Sequence, residues 1–120
     1  MQNSDTPKVS LLVPICNVER YLRECLDSAV AQTLRDIEII CINDGSTDSS
    51  PDIIREYMDR DPRVKMIDKA NSGYGDSMNC GLEMARGEYV AILESDEFMF
   101  EDSLQKLVAK ADAEHAHRAV

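Results

Sequence analysis

Three carboxylates, Glu94, Asp96 and Glu97, follow directly on the apolar run Val90-Ala-Ile-Leu93. A short apolar run of this kind reads as a buried strand. Carboxylates crowded at a strand tip disfavour one another's ionised form. A hard divalent cation, which takes oxygen ligands, is the simplest partner for them. A second polar cluster, Asn43-Asp-Gly-Ser-Thr-Asp-Ser-Ser50, follows another apolar run, Ile37-Glu-Ile-Ile-Cys-Ile42. Locally, Asp44-Gly-Ser-Thr-Asp48 reads as an Asx-turn that starts a helix. At a strand tip, Asp44 is also an acceptor able to read the N–H of a nucleobase, as carboxylates do elsewhere. A third short segment, Pro14-Ile-Cys-Asn17, follows Val9-Ser-Leu-Leu-Val13.

The elements around these segments alternate. The run 9–13 is a strand that Pro14 is expected to stop. Leu22, Cys25, Leu26, Ala29 and Val30 share one face of a helix over about 19–31, with Asn17 as its expected N-cap. The run 37–42 is apolar enough to be covered on both faces. Ser50-Pro51 opens a second helix, with Ile53, Ile54, Tyr57 and Met58 as its buried side. A short strand at 64–67 precedes a polar loop over 68–75. The next helix is expected to turn Met78, Leu82 and Ala85 inward, with Gly81 marking close approach to the sheet and Gly87 a left-handed stop. A strand at 89–93 and a helix carrying Leu104, Leu107, Val108 and Ala111 complete the order βαβαβαβα. That order predicts an α/β, Rossmann-like fold: a mainly parallel twisted sheet with helices on both faces. The segments after the first, second and fourth strands then leave the same sheet edge and converge on one crevice.

Composition narrows the function classes. The 120 residues carry 23 acidic and 13 basic side chains, a formal charge of -10. A single domain spanning 1–120 is expected, with 1–7 and about 114–120 frayed. The acidic balance speaks against nucleic acid as a partner, because phosphate contacts need a basic face. Cys16, Cys25, Cys41 and Cys80 are scattered without zinc-ligand spacing. No run reaches the roughly 20 apolar residues of a membrane span, so a cytoplasmic setting, extending to the inner face of a membrane, is the expectation. His115 and His117 read as surface residues of a polar tail. Gly73-Tyr-Gly75 is a poor dinucleotide fingerprint, because Met78 stands where the third glycine belongs, and there is no Walker-type loop. A cation bridging carboxylates to a diphosphate answers the phosphate problem better.

The segments named so far, with Gln32-Thr33, Asn71-Ser-Gly-Tyr-Gly-Asp-Ser-Met-Asn79 and Gly81-Leu-Glu-Met-Ala-Arg-Gly-Glu-Tyr89, occur in an order and spacing that resemble the nucleotide-binding half of a family 2 glycosyltransferase of GT-A fold. The resemblance runs from about Val9 to Phe98. It implies transfer of a sugar, in the manner of a hexosyltransferase, from a nucleotide-diphospho-sugar (a UDP-sugar first) to the hydroxyl of a glycan or lipid-linked acceptor. Metal assistance by Mn2+ or Mg2+, inversion, and a place in polysaccharide or cell-surface glycan synthesis are implied with it. By the same resemblance Pro14, Ile15, Cys16, Asn17 and Glu19 hold base and ribose, and Asp44 pairs with uracil. Glu94, Ser95 and Asp96 take the ribose and diphosphate, Asp96 and Glu97 the metal, and Lys69 and Asn79 further donor contacts. The family's catalytic base and acceptor site are expected in a C-terminal half outside this chain, so no catalytic residue is assigned within it.

Cys16 stands where the family usually stacks an aromatic ring, Asn43 replaces a frequent Asp, and Glu94 and Glu97 replace shorter aspartates. These departures keep open a non-catalytic nucleotide-binding or interaction module. A phosphoacceptor signalling domain is contradicted by Pro-Ile-Cys-Asn after the first strand, where that class needs an acidic pair. A sugar-phosphate nucleotidyltransferase is contradicted by the lack of a glycine-rich, basic loop at the same place.

Overall fold

A computed structural model of the chain describes residues 6–118, and for 115–118 the helical backbone alone. The elements are β1 (Val9–Ile15), α1 (Glu19–Val30), β2 (Ile37–Asp44), α2 (Ser50–Arg60), β3 (Val64–Lys69), α3 (Tyr74–Met84), β4 (Tyr89–Ile92) and α4 (Ser103–Arg118). The four strands are parallel, in the order β3-β2-β1-β4. This is the Rossmann-like architecture that the alternating pattern predicts.

Strand direction and crossover hand decide where the helices go. From β1 to β3 the chain moves steadily toward one edge, so α1 and α2 pack on the same face. From β3 it returns across the sheet to β4, and a right-handed crossover then puts α3 on the other face. The burial follows. Leu11, Val13 and Ile15 of β1 and Ile39 and Cys41 of β2 pack with Leu22 and Leu26 of α1, Ile54 and Tyr57 of α2 and Leu104 of α4. Leu12, Ile40 and Ile42 face the other way, toward Met78 and Ala85 beside α3.

Four sequence expectations need correction. Pro14 does not stop β1: it pairs with Ile42, and Ile15 with Asn43. Backbone polar groups alternate sides along a strand, and the Leu12 carbonyl accepts the Leu93 N–H on the β4 side. The Pro14 nitrogen therefore points toward β4, whose pairing with β1 has ended at Leu12–Ile92. No ladder bond is lost there. Gly87 is not a left-handed stop, since the glycines of positive φ are Gly45 and Gly73. It is small because a Cβ there would lie 2.5 Å from the Ser10 nitrogen. Leu82 is 52% exposed, and the sheet side of α3 is instead Ser77 and Gly81. A Cβ on Gly81 would stand 3.1 Å from Ile42 Cδ1, so the expected close approach is present. Met58 turns outward while Tyr57 is buried.

The described residues reach into both end segments. Pro7 is buried, and its carbonyl accepts the Glu88 N–H at 3.0 Å. The helix α4 continues through Arg118. Residues 1–5 and 119–120, and the side chains of His115 and His117, lie outside the described residues.

Candidate functional site

The site forms because β4 is short. β1 continues through Val13, Pro14 and Ile15 after β4 has ended, and this leaves a notch at the C-terminal edge where the strand order reverses. A pocket of about 290 Å³ fills that notch. Its lining brings together Pro14, Ile15 and Cys16 from the tip of β1, Asp44 from the tip of β2, and Glu94, Ser95 and Asp96 from the turn after β4. The convergence of three strand tips, expected from the order of elements, is present.

Asp44 is held from behind and from above. Its Oδ1 accepts from Lys69 Nζ at 2.5 Å and from the Ser72 N–H at 2.8 Å, and its Oδ2 accepts from the Gly73 N–H at 3.1 Å. The Lys69 ammonium and these backbone donors hold its carboxyl below the usual carboxylate range. Lys69, whose own pKa is raised by Asp44, also reaches Ser72 Oγ and Asp76. It does not line the pocket; it is the counter-charge that fixes Asp44 and the loop before α3.

Asn17 and Glu19 are committed to a different task from the one expected of them. Asn17 sits at φ 53° and does not cap α1, whose N-cap is Val18 without a side-chain bond. Its Oδ1 instead accepts from the Thr47 N–H at 2.7 Å and the Asp48 N–H at 3.2 Å. The opposite loop answers in kind. Ser46 Oγ accepts the Asn17 N–H, Ser50 Oγ the Val18 N–H, and Asp48 Oδ2 the Glu19 N–H. Glu19 Oε1 accepts the Ser49 N–H at 3.1 Å. The helix start after Asp44 is served by Asp48, whose Oδ1 takes the Ser50 N–H at 2.9 Å. The loops after β1 and β2 are thus one clamped unit, and Asn17 and Glu19 are exposed and do not line the pocket. Asn79 is exposed on the side of α3 away from Ser77 and is not part of the lining.

Sequence reasoning sought the contribution of α3 at Asn79 and missed Tyr74 and Ser77. Tyr74 and Ser77 both line the pocket, and so does Val18. The Tyr74 hydroxyl donates to Glu94 Oε2 at 2.9 Å, joining the start of α3 to the acidic turn. A usable signal existed. Gly81 predicts close approach of α3 to the sheet, and the residue one turn earlier on that face is Ser77.

The donor set suits a hard cation in part. Asp96 lines the pocket, whereas Glu97 is exposed beside it, in a turn closed by its N–H to the Glu94 carbonyl at 3.0 Å. Neither side chain has a hydrogen bond or ion pair among the described residues. Below them, burial pushes the Cys25 thiol up to about 12, with Asp96 and Glu97 adding to the effect. Among the described residues no three His, Cys, Asp or Glu side chains gather into a metal cage. Mg2+ and Mn2+ sites built on one or two carboxylates and completed by substrate phosphates need no such cage. Among the described residues no helix is long and apolar enough to cross a membrane.

Comparison with known proteins gives a consistent result. Residues 10–120 match the family model of glycosyl transferase family 2. Over 103 residues the chain is 42% identical to the glycosyltransferase GlyA of Streptococcus pneumoniae, covering 86% of this chain and 15% of that protein. It superposes on the S. aureus TarS 1–349 crystal structure in complex with UDP-GlcNAc with a TM-score of 0.79 and 30% identity, covering 90% of this chain and 32% of that one. The mannosyltransferase PcManGT from Pyrobaculum calidifontis, in complex with GDP-Man and Mn2+, superposes with a TM-score of 0.72 and 26% identity, over 82% of this chain and 30% of that one. The chain spans about a third of the length of two curated relatives from Bacillus subtilis, the putative glycosyltransferase EpsH and the uncharacterized glycosyltransferase EpsJ, at 32% and 31%.

Proposed function

The chain belongs to glycosyl transferase family 2, and from that membership we propose that it is the donor-binding part of an enzyme that transfers a sugar from a UDP-sugar to an acceptor hydroxyl. One observation carries the reading: Asp44, Glu94, Ser95 and Asp96, from separate strand tips, line a single pocket of about 290 Å³ with Pro14, Ile15 and Cys16. Had Asp44 and Asp96 stood on opposite rims of the sheet, no one small molecule would touch both. The relatives bound to UDP-GlcNAc and GDP-Man support a nucleotide-sugar as the ligand class.

In this reading the base lies on Pro14, Ile15 and Cys16 with Asp44 as the acceptor for a ring N–H. Glu94 and Ser95 face the ribose, and Asp96 faces the diphosphate. The clamp through Asn17, Glu19 and Asp48 holds the base-side wall, and Lys69 holds Asp44. Transfer forms a bond from the acceptor oxygen to the anomeric carbon and breaks the bond from that carbon to the diphosphate. The acceptor's proton goes to a base, and no residue described here is assigned to that role. Asp96, with Glu97 beside it, would hold a divalent cation, which when bound neutralises the departing diphosphate. Inversion, an acceptor in polysaccharide or cell-surface glycan synthesis, and a cytoplasmic location extending to the inner membrane face belong to the same proposal.

Titration calorimetry of the chain with UDP and Mn2+ tests it. Saturable heat that disappears in Asp96→Ala supports the donor site. An absence of heat with every nucleoside diphosphate tried would favour the non-catalytic module.

A further inference from the structure

Ser77 presents a polar group that the fold leaves without a partner. It is 1% exposed, and its Oγ is the buried side-chain oxygen or nitrogen without a hydrogen bond among the described residues. A serine inside a helix ordinarily bonds back to the carbonyl four residues earlier. That carbonyl, on Gly73, accepts the Ser77 N–H at 3.1 Å, and the hydroxyl does not join it. The Ser77 side chain lines the pocket instead, one helical turn nearer the strand tips than Gly81, which rests on Leu12 and Ile42. A buried hydroxyl without a partner carries its full desolvation penalty. A ligand in the pocket would remove that penalty.

The chemistry of the ligand group follows from the neighbours. An ionised carboxylate has about four acceptor positions. Asp44 uses three of them, two on Oδ1 for Lys69 and Ser72 and one on Oδ2 for Gly73. The remaining position on Oδ2 can accept only from a donor. Ser77, reached through the same first turn of α3, can donate. The pocket therefore offers one acceptor and one donor, beside the apolar side chains of Pro14 and Ile15. A diphosphate is poorly suited to this part of the site, since it would lie against the Asp44 charge. A flat heterocycle with an N–H next to a carbonyl suits it.

We propose that Ser77 is a base-reading residue: its hydroxyl donates to the 4-carbonyl of uracil, adjacent to the N3–H that Asp44 accepts, so that the pair selects that half of the imide edge. Cytosine presents a bare N3 to Asp44, which loses that contact outright, and an amino group where uracil has its 4-carbonyl, so the Ser77 hydroxyl finds no acceptor there and could only turn round to accept. This deepens the nucleotide-sugar reading and rests on it.

The test compares UDP with CDP by calorimetry, with Mn2+ present, in the 120-residue chain and in Ser77→Ala, together with thermal melting of both proteins without nucleotide. The unsubstituted chain is expected to bind UDP about tenfold or more tightly than CDP, the step that one matched hydrogen bond supplies. Ser77→Ala is expected to weaken UDP by about tenfold and to leave CDP nearly unchanged. Its unliganded melting temperature should stay level or rise, because an orphaned hydroxyl has been removed. A purely structural serine would show the reverse pattern, a lower melting temperature with unchanged nucleotide preference. The inference is overturned if Ser77→Ala binds UDP as tightly as the unsubstituted chain, or keeps the same UDP-to-CDP ratio. If the unsubstituted chain binds neither nucleotide, the donor-binding function itself fails and this inference fails with it.

Discussion

The strand β2 carries two buried acids six positions apart, Glu38 near its start and Asp44 at its end, and their surroundings are closely matched. Each is paired with a lysine of β3, Lys65 at 2.7 Å and Lys69 at 2.5 Å. Each pins one end of the α3 segment. Glu38 Oε2 accepts the Arg86 N–H at 2.7 Å beyond the helix C-terminus, and Asp44 accepts the Ser72 and Gly73 N–H groups before its N-terminus. The two sites differ in what remains to be bonded. Glu38 also takes the Ser10 hydroxyl at 2.5 Å, and Ser10 in turn accepts the Gly87 N–H, so that end is closed by protein. Asp44 faces a pocket and has room for one more donor. The same pairing of acid and lysine stabilises structure at one end of the strand and prepares a binding site at the other. What separates them is the direction of the strand: in a parallel sheet, the C-terminal edge is where the tips diverge.

Removing Glu38 should have the largest effect on stability. Glu38→Ala leaves the Ser10 hydroxyl proton, the Arg86 N–H and the Lys65 ammonium without their acceptor, at a cost of about 3 kcal/mol. Urea denaturation measures it, and UDP affinity of the folded fraction should hardly change. Equal losses of UDP binding in Glu38→Ala and Asp44→Ala would abolish the distinction between the two ends. Asp44→Ala should lower UDP affinity by about 100-fold, equivalent to about 2.7 kcal/mol, while destabilising the fold less than Glu38→Ala does. Calorimetry and urea denaturation on the same sample separate the two effects.

Asp48→Ala probes the ligand end at one remove. Its carboxylate joins the loops after β1 and β2 through the Glu19 and Ser50 N–H groups. Loss of a cap of this kind costs about 1 kcal/mol, and UDP affinity should fall by a few-fold, since the wall behind Cys16 loosens without losing a ligand contact. Normal affinity would show that the clamp is not needed to hold the wall.

The smallest effect is in the acid limb of the stability curve. Burial pushes Glu38 upward, but the bonds from Lys65, Ser10 and Arg86 outweigh it and the net direction is down. Asp44 is depressed too, by Lys69 first and then by the Ser72 and Gly73 N–H groups. A carboxyl whose folded pKa lies below its unfolded value, about 4.3 for Glu and 3.9 for Asp, contributes stability that is present above the unfolded value. That contribution is lost as pH falls through the folded pKa. Stability should therefore decline from about pH 4 downward, and Glu38→Gln should flatten that decline; an unchanged slope would show that Glu38 is not held as described.

The parallel sheet, the order of elements and the polar strand tips were legible because they rest on local periodicity. Three-and-four spacing in α1 and continuous apolar runs in β1 and β2 are properties of neighbouring residues. The meeting of Asp44, Glu94, Ser95 and Asp96 in one pocket was legible for the same reason: polar clusters directly after buried strands have to come out at one edge. Asn17 and Glu19 stand beside that edge, and the bonds they make there were not legible. Their acceptor atoms are taken by N–H groups about 30 residues along the chain, and periodicity carries no information about such pairings. Leu82 was misjudged because a helix packed closely on a sheet keeps its small residues, not its large ones, against the strands, and Gly87 because its backbone passes close to Ser10 of β1.

By itself the sequence determined that β-segments and helices alternate, that the sheet is parallel, and that acids accumulate at its C-terminal edge, because chain-local patterning and right-handed crossovers leave few other arrangements. Tertiary structure alone decided that β4 ends short of β1, that the loops after β1 and β2 clamp each other, and that the Ser77 hydroxyl lies in the pocket without a partner. Those outcomes depend on how distant segments fill one volume, and no residue's type or spacing reports on that volume until the chain has closed around it.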